Sequence, residues 1–288
     1  MNKVYLKRIM TNSAQIVVPY KECINNCMFC ISCMNPVAKN IKFIESKELE
    51  VSYIKKLKYL KDIGCKNVVI TGDNEPLMNK NFLLFFSATL NQAGVRFDNI
   101  EIQTSGVFLN EYLLSFLRNK IHINLVCISV ASLNVNINAN IMGFRNELIY
   151  DFNKISYYIH QTNIKLRITI IMTNWFNKYE NDIEKLFKDI FSLFKPNQIT
   201  FKILKNTSVP SDVHYWIENH SASINTIKNL SDFLSVNTKV ISFYAGMNIY
   251  EYMGMSIMLD NDCMKAKLEK GYRYLILLPN GKLRESWF

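Results

Sequence analysis

The chain has 288 residues, 49% apolar and 20% charged, with 34 Lys and Arg against 24 Asp and Glu, a formal net charge of +10 and a pI of about 9.1. Such a chain buries a substantial core as one large domain or two small ones. The start, MNKVYLKRIMTNSAQ, lacks the apolar stretch of a signal peptide, and no apolar run nears the roughly 20 residues of a membrane helix, so an exported or membrane protein is excluded as the expectation and a soluble, cytoplasmic one is expected. The positive charge fits an acidic partner, but Lys is scattered and Ile, Asn and Lys abound throughout, as an AT-rich genome would give; nucleic acid is therefore not favoured.

In chain order, QIVVPY (15–20) reads as a buried strand running straight into a cysteine-rich loop. KELEVSYIKKLKYLKDIG (47–64) has helical spacing and stops at Gly64. The alternation then repeats: strand 67–73, helix 79–94, strand 99–106, helix 110–119, strand 123–132, helix 144–163, strand 165–174, helix 178–197, strand 198–206 and helix 223–237. Six strand–helix units imply a parallel sheet, as a doubly wound sheet or an open, partial barrel, and the strands read as near-continuous apolar runs covered on both faces. From about residue 238 the pattern changes to strands without helices, with Asn280-Gly281 as a hairpin turn. Residues 1–237 are expected to form the α/β body, and 238–288 a β-rich extension adding an antiparallel edge to it.

Seven cysteines, an odd number, argue against a disulfide framework, and four of them fall between residues 23 and 33. Cys23, Cys27 and Cys30 stand after the first strand, at the end where parallel α/β folds carry their chemistry. No second CxxC pair supplies a zinc knuckle, although a zinc-binding or non-enzymatic iron–sulfur module stays open as a rival. Three thiolates in one short loop suit a [4Fe–4S] cluster with one iron left for a ligand. Cys33 extends the run and is read as a spectator, Cys65 as core at the opposite end, and Cys127 as a small hydrophobe within a strand. His122, His160, His214 and His220 show no metal-ligand spacing.

CxxxCxxC after a first strand, with Phe29 before the third cysteine, resembles the radical SAM superfamily. TGDNEPLMN (71–79), one β/α unit later, is similar to that family's GGEP-type motif, with Asp73-Asn74 where a glycine usually precedes the glutamate. The resemblance implies a partial (β/α)6, TIM-like barrel and an enzyme. It implies a [4Fe–4S] cluster on Cys23, Cys27 and Cys30 whose open iron binds S-adenosylmethionine (AdoMet). Reductive cleavage of AdoMet then gives a 5′-deoxyadenosyl radical that abstracts hydrogen from substrate.

It implies further that Thr71, Gly72, Asp73, Asn74 and Glu75 meet the amino group of AdoMet, Glu75 with its carboxylate, while Phe29 packs by the adenine. Thr104 and Ser129 belong to polar strand ends near the ligand, and Arg167 or Asn174 would reach its carboxylate or adenine edge. An acidic flavodoxin or ferredoxin is the expected electron donor. Lys202, Lys205, Lys265, Lys267, Arg273 and Arg284 fit a small phosphorylated or nucleotide-like substrate. The rival is a peptide substrate modified by epimerisation or crosslinking, with Cys263 as catalytic hydrogen donor. Trp216, Tyr244, Tyr250, Tyr252 and Met253 are read as pocket lining or as packing.

Overall fold

The computed structural model describes residues 11–30, 32, 41–144, 151–206, 211–261, 267–268 and 271–287. Six parallel strands form the body: β1 (Ser13–Val18), β2 (Asn67–Gly72), β3 (Asn99–Thr104), β4 (Leu125–Val130), β5 (Lys165–Met172) and β6 (Gln198–Ile203). They lie side by side in that order. Helices α1 (Lys47–Asp62), α2 (Lys80–Ala93), α3 (Glu111–Lys120), α4 (Val135–Met142), α5 (Phe152–His160), α6 (Ile183–Phe194), α7 (Asp212–His220) and α8 (Ile224–Asn237) make the crossovers. The helices start where side chains cap them. Ser46, Asn110, Asp151 and Asp182 each accept the N–H of a residue two or three positions on. In α6, Ile183, Leu186, Phe187, Ile190 and Phe194 are buried at helical spacing, giving one apolar stripe toward the sheet.

The two faces of the sheet differ. Ile16, Val18, Val68, Ile70, Ile100, Ile102, Val126, Ile128, Ile168, Ile170, Ile199 and Phe201 point outward into the helices, in the main core cluster. The alternate residues point inward and are largely polar: Gln15, Glu101, Gln103, Arg167, Thr169, Thr200 and Lys202 line the interior. The expectation of apolar residues on both faces is therefore corrected. Burial in the described strands is nearly continuous, but the inner wall is buried by enclosure rather than by apolar packing.

Strands of the tail join both edges of this sheet: β7 (Lys239–Tyr244), β8 (Met247–Tyr252), β9 (Met255–Asp260), β12 (Leu275–Leu277) and β13 (Leu283–Arg284). A short pair, β10 (Lys267–Leu268) and β11 (Gly271–Tyr272), stands apart. The expected antiparallel edge is present, with β8 on β9 and β7 on β8, but it is attached through β9, which runs parallel to β6. At the other edge β12 pairs parallel with β1, and β13 returns antiparallel through the Asn280-Gly281 turn. Gly281 has φ 75, and a Cβ there would lie 2.6 Å from Ser52 Oγ, so the turn seats directly on α1. The Tyr53 hydroxyl of α1 donates to Leu278 O at 2.8 Å.

Among the described residues no strand pairing joins β9 to β12. A buried ion pair spans the gap instead: Arg273 Nη2 donates to Asp260 Oδ2 at 2.6 Å and Nη1 to Oδ1 at 3.2 Å. The open sheet is thereby clasped into a barrel. No described helix is long and apolar enough to cross a membrane.

Candidate active site at the barrel mouth

Cys23, Cys27, Phe29 and Cys30 are half-buried in the loop after β1. The loop is pinned to α4: Asn26 N donates to Gly143 O at 3.3 Å and Met28 N to Ile141 O at 3.1 Å. Gly143 has φ 60, and a Cβ on it would stand 2.4 Å from Asn26 O, so only glycine permits this docking. Cys27 and Phe29 pack against Ala131, Met142 and Ile171. The Phe29 ring also lies 6.1 Å from Trp216 of α7, which stacks on His220 at 4.5 Å.

The three thiols share one electrostatic neighbourhood. Burial pushes the Cys27 thiol well above its usual range, and Cys30, Cys23 and Glu75 add to the rise. Burial also raises Cys23, while the backbone N–H groups of Asn25 and Glu75 pull it back. Cys23 thus lies against the turn that follows β2, which brings the two sequence motifs together. Among the described residues no three His, Cys, Asp or Glu side chains converge as ligands of one ion. A cubane does not ask for that, because each of its three cysteines holds a different iron.

Glu75 is fully buried, and its carboxylate accepts four hydrogen bonds. Oε1 takes Leu77 N at 3.2 Å and Thr104 Oγ1 at 2.6 Å; Oε2 takes Ser105 N and Ser105 Oγ, each at 2.8 Å. Burial raises its pKa against the pull of those donors. The carboxylate and Thr104 are engaged with each other, bolting the turn after β2 to the turn after β3. Both side chains were expected to meet AdoMet; what the geometry gives them is this bolt between the two turns. Gly72 is also explained by the protein itself, since a Cβ there would meet Val18 Cγ2 on β1 at 2.6 Å.

Polar capacity is left over near the mouth. Asn74 donates from Nδ2 to Pro19 O at 3.3 Å and Lys21 O at 3.2 Å, bracing the cysteine loop; its buried Oδ1 has no partner. Thr71 and Ser129 face inward near the ends of β2 and β4. Asp73 is buried and accepts from Ser32 Oγ at 3.2 Å. Asn138 of α4 was not legible as a site residue. Its Oδ1 accepts Ala131 N at 2.8 Å, and its buried Nδ2 is without a partner. Asn25 Oδ1 in the cysteine loop and Asn79 Nδ2 in the turn after β2 are orphaned as well, and the set of three thiols, two orphaned buried acceptors and two orphaned buried donors fits a cluster with a polar organic ligand beside it.

Arg167 is placed elsewhere, whereas Asn174 follows the C-terminal end of β5, on the side of the mouth. Arg167, near the start of β5, pairs with Glu101, and its Nε donates to Cys127 Sγ at 3.5 Å. It belongs to the lower interior and not to the mouth. Cys127, in turn, is a hydrogen-bonded interior thiol, 3.0 Å from Thr169 Oγ1, rather than a mere hydrophobe. Asn174 is exposed in a 3₁₀ turn, and its amide donates to Asn219 O at 3.4 Å. Cys65 is core at the start of β2, its thiol pushed up to about 12 by burial. Tyr244 lines the interior, Tyr250 and Tyr252 pack on the main core, and Met253 is exposed. Cys33, Cys263 and Lys265 lie outside the described residues.

The comparisons speak to the fold and the family. No curated protein sequence matches the chain. Among solved structures, the chain superposes on a histidine-tagged anSMEcpe with bound AdoMet at TM-score 0.52 and 16% identity, covering 78% of this chain and 60% of that one. It spans, then, less than two thirds of that neighbour. A radical SAM methyltransferase from Sphaerobacter thermophilus aligns over 96% of this chain and 70% of its own, with TM-score 0.55 and 14% identity. Coproporphyrinogen III oxidase (HemN) from Escherichia coli aligns over 88% and 63%, with TM-score 0.51 and 10% identity. These likenesses establish the fold. The family model described as Radical SAM superfamily matches residues 17–190, more than half of the sequence, so the chain is a radical SAM enzyme, of a family that works with a [4Fe–4S] cluster and AdoMet.

Proposed function

We propose that Cys23, Cys27 and Cys30 hold a single [4Fe–4S] cluster, that AdoMet lies across the ends of β1–β4, and that hydrogen is abstracted from a small, anionic substrate in the barrel interior. Bound together, cluster and AdoMet supply one-electron reductive cleavage of a sulfonium and, from it, a hydrogen-abstracting radical. The chain's own residues do the rest. Glu75 holds two loops rigid, so that backbone carbonyls of the turn after β2 and the orphaned Asn74 Oδ1 accept from the ammonium of AdoMet. Thr71 and Ser129 meet its ribose or carboxylate, and Phe29, backed by Trp216, walls the adenine side. The observation that carries this reading is the contact of Cys23 with the Glu75 turn, which joins both motifs at one mouth.

An acidic flavodoxin or ferredoxin is the proposed electron donor, attracted by the net charge of +10; its reduction rate should fall with salt. The test of the whole reading is anaerobic purification followed by iron and sulfide analysis and assay of 5′-deoxyadenosine after dithionite. Iron and sulfide in equal amounts with 5′-deoxyadenosine formed support it. Zinc in the loop, or no 5′-deoxyadenosine from cluster-loaded protein, overturns it. A peptide substrate is the second reading, favoured by the neighbour solved with AdoMet and the Cp18Cys peptide. Cys263→Ala tests it: lost product with intact AdoMet cleavage would support a thiol donor, and unchanged turnover would remove it.

A further inference from the structure

The inner wall of the sheet encloses a cavity of about 270 Å³. Its lining runs from Ser13, Asn67 and Asn99, at the starts of β1–β3, up to the last inward residues of β3, β6 and β9: Gln103, Lys202 and Asp260. The charged groups on this wall nearly cancel. Glu101 pairs with Arg167, and Asp260 with Arg273. Lys202 is left over. Asp260 is its partner across the β6–β9 ladder, yet both carboxylate oxygens turn to Arg273. Among the described residues Lys202 accordingly has neither a hydrogen bond nor an ion pair. One acceptor is left over as well: Gln15 Oε1 is buried without a partner on the same wall.

A half-enclosed ammonium without a counter-charge and an acceptor without a donor are complementary to a ligand carrying one of each. The volume falls just below the roughly 300–1,000 Å³ of ordinary ligand pockets, which favours a small molecule over a length of peptide. Resting on the reading that the interior is the substrate site, we propose that the substrate is a small molecule with one carboxylate or phosphate bound by Lys202, and an N–H or O–H group directed at Gln15 Oε1. Thr200, one inward position before Lys202 on β6, offers the anion a hydroxyl. Of the cations the sequence offered for such a substrate, Arg273 is engaged by Asp260, and Lys205, Lys267 and Arg284 are exposed.

The test is calorimetric titration of cluster-loaded protein with inorganic phosphate and, separately, with succinate, which tells a phosphate site from a carboxylate site. Wild type should bind one of them. Lys202→Met should weaken that binding roughly tenfold or more, and Lys202→Arg should restore most of it. The visible cluster absorption and the urea midpoint should stay unchanged in both variants. Equal affinity in Lys202→Met, or no binding of either anion by wild type, overturns the proposal while leaving AdoMet cleavage intact. Absence of 5′-deoxyadenosine from every cluster-loaded preparation overturns the catalytic reading instead, and the substrate role with it.

Discussion

Glu75 and Asp260 are both buried carboxylates at strand ends, and they are satisfied in opposite ways. Asp260 meets a guanidinium, so the seam between β9 and β12 is electrically complete. Glu75 meets four uncharged donors and stands beside Cys23 and Cys27, whose thiols its charge helps to raise. The seam needs nothing more, whereas the mouth collects negative charge that bound iron would relieve as the thiols deprotonate. A neutralised carboxylate closes the barrel; an unneutralised one helps to build the site.

Substitutions break this comparison at different scales. Cys27→Ala should abolish cluster loading outright, read as loss of iron and of 5′-deoxyadenosine, while Cys65→Ala retains both. Arg273→Met takes the guanidinium away from the buried Asp260 carboxylate and should cost about 3–5 kcal/mol in urea unfolding, whereas Arg273→Met combined with Asp260→Leu should regain most of it. Recovery absent from the double variant would mean that the pair does more than satisfy itself. Glu75→Ala strands four donors and should cost about 2–4 kcal/mol, with weaker AdoMet binding by titration.

Gly143→Ala should cost roughly 1–3 kcal/mol and lower the iron retained, because its Cβ would collide with the backbone of the cysteine loop. Gly94→Ala shares the left-handed geometry but meets nothing within 4 Å, so it should cost about 1 kcal/mol and leave the iron unchanged. Lys228→Ala removes an exposed i,i+4 pair with Asp232 and should move stability by only about 0.3–0.5 kcal/mol, the contrast to the buried clasp.

The six parallel strands were legible to within two or three residues because each is a short stretch with apolar residues at least at alternate positions, bounded by Gly, Asn or Pro. The cysteine loop was legible from spacing alone. Helix α4 was not: VNINANIM carries four polar or small residues among its eight and shows no strong stripe, and it forms because Asn134 caps it and the cysteine loop packs on it. Helix α7 and strand β8 were missed for the same want of pattern. Neither the role of Glu75 nor the parallel pairing of β12 with β1 was readable, since both depend on partners some 30 to 260 residues away. The polar inner wall was hidden because enclosure, unlike apolarity, leaves no mark on a single strand.

The pairing of β12 with β1 joins Ala14 to Leu275. During synthesis β1 emerges early, and one flank of its backbone then waits without a neighbour until Leu275 has left the ribosome. Until that moment the nascent intermediate carries an open strand edge next to the cysteine loop, a template for wrong pairing. Closure of the sheet therefore comes long after the three cysteines of the loop have been made.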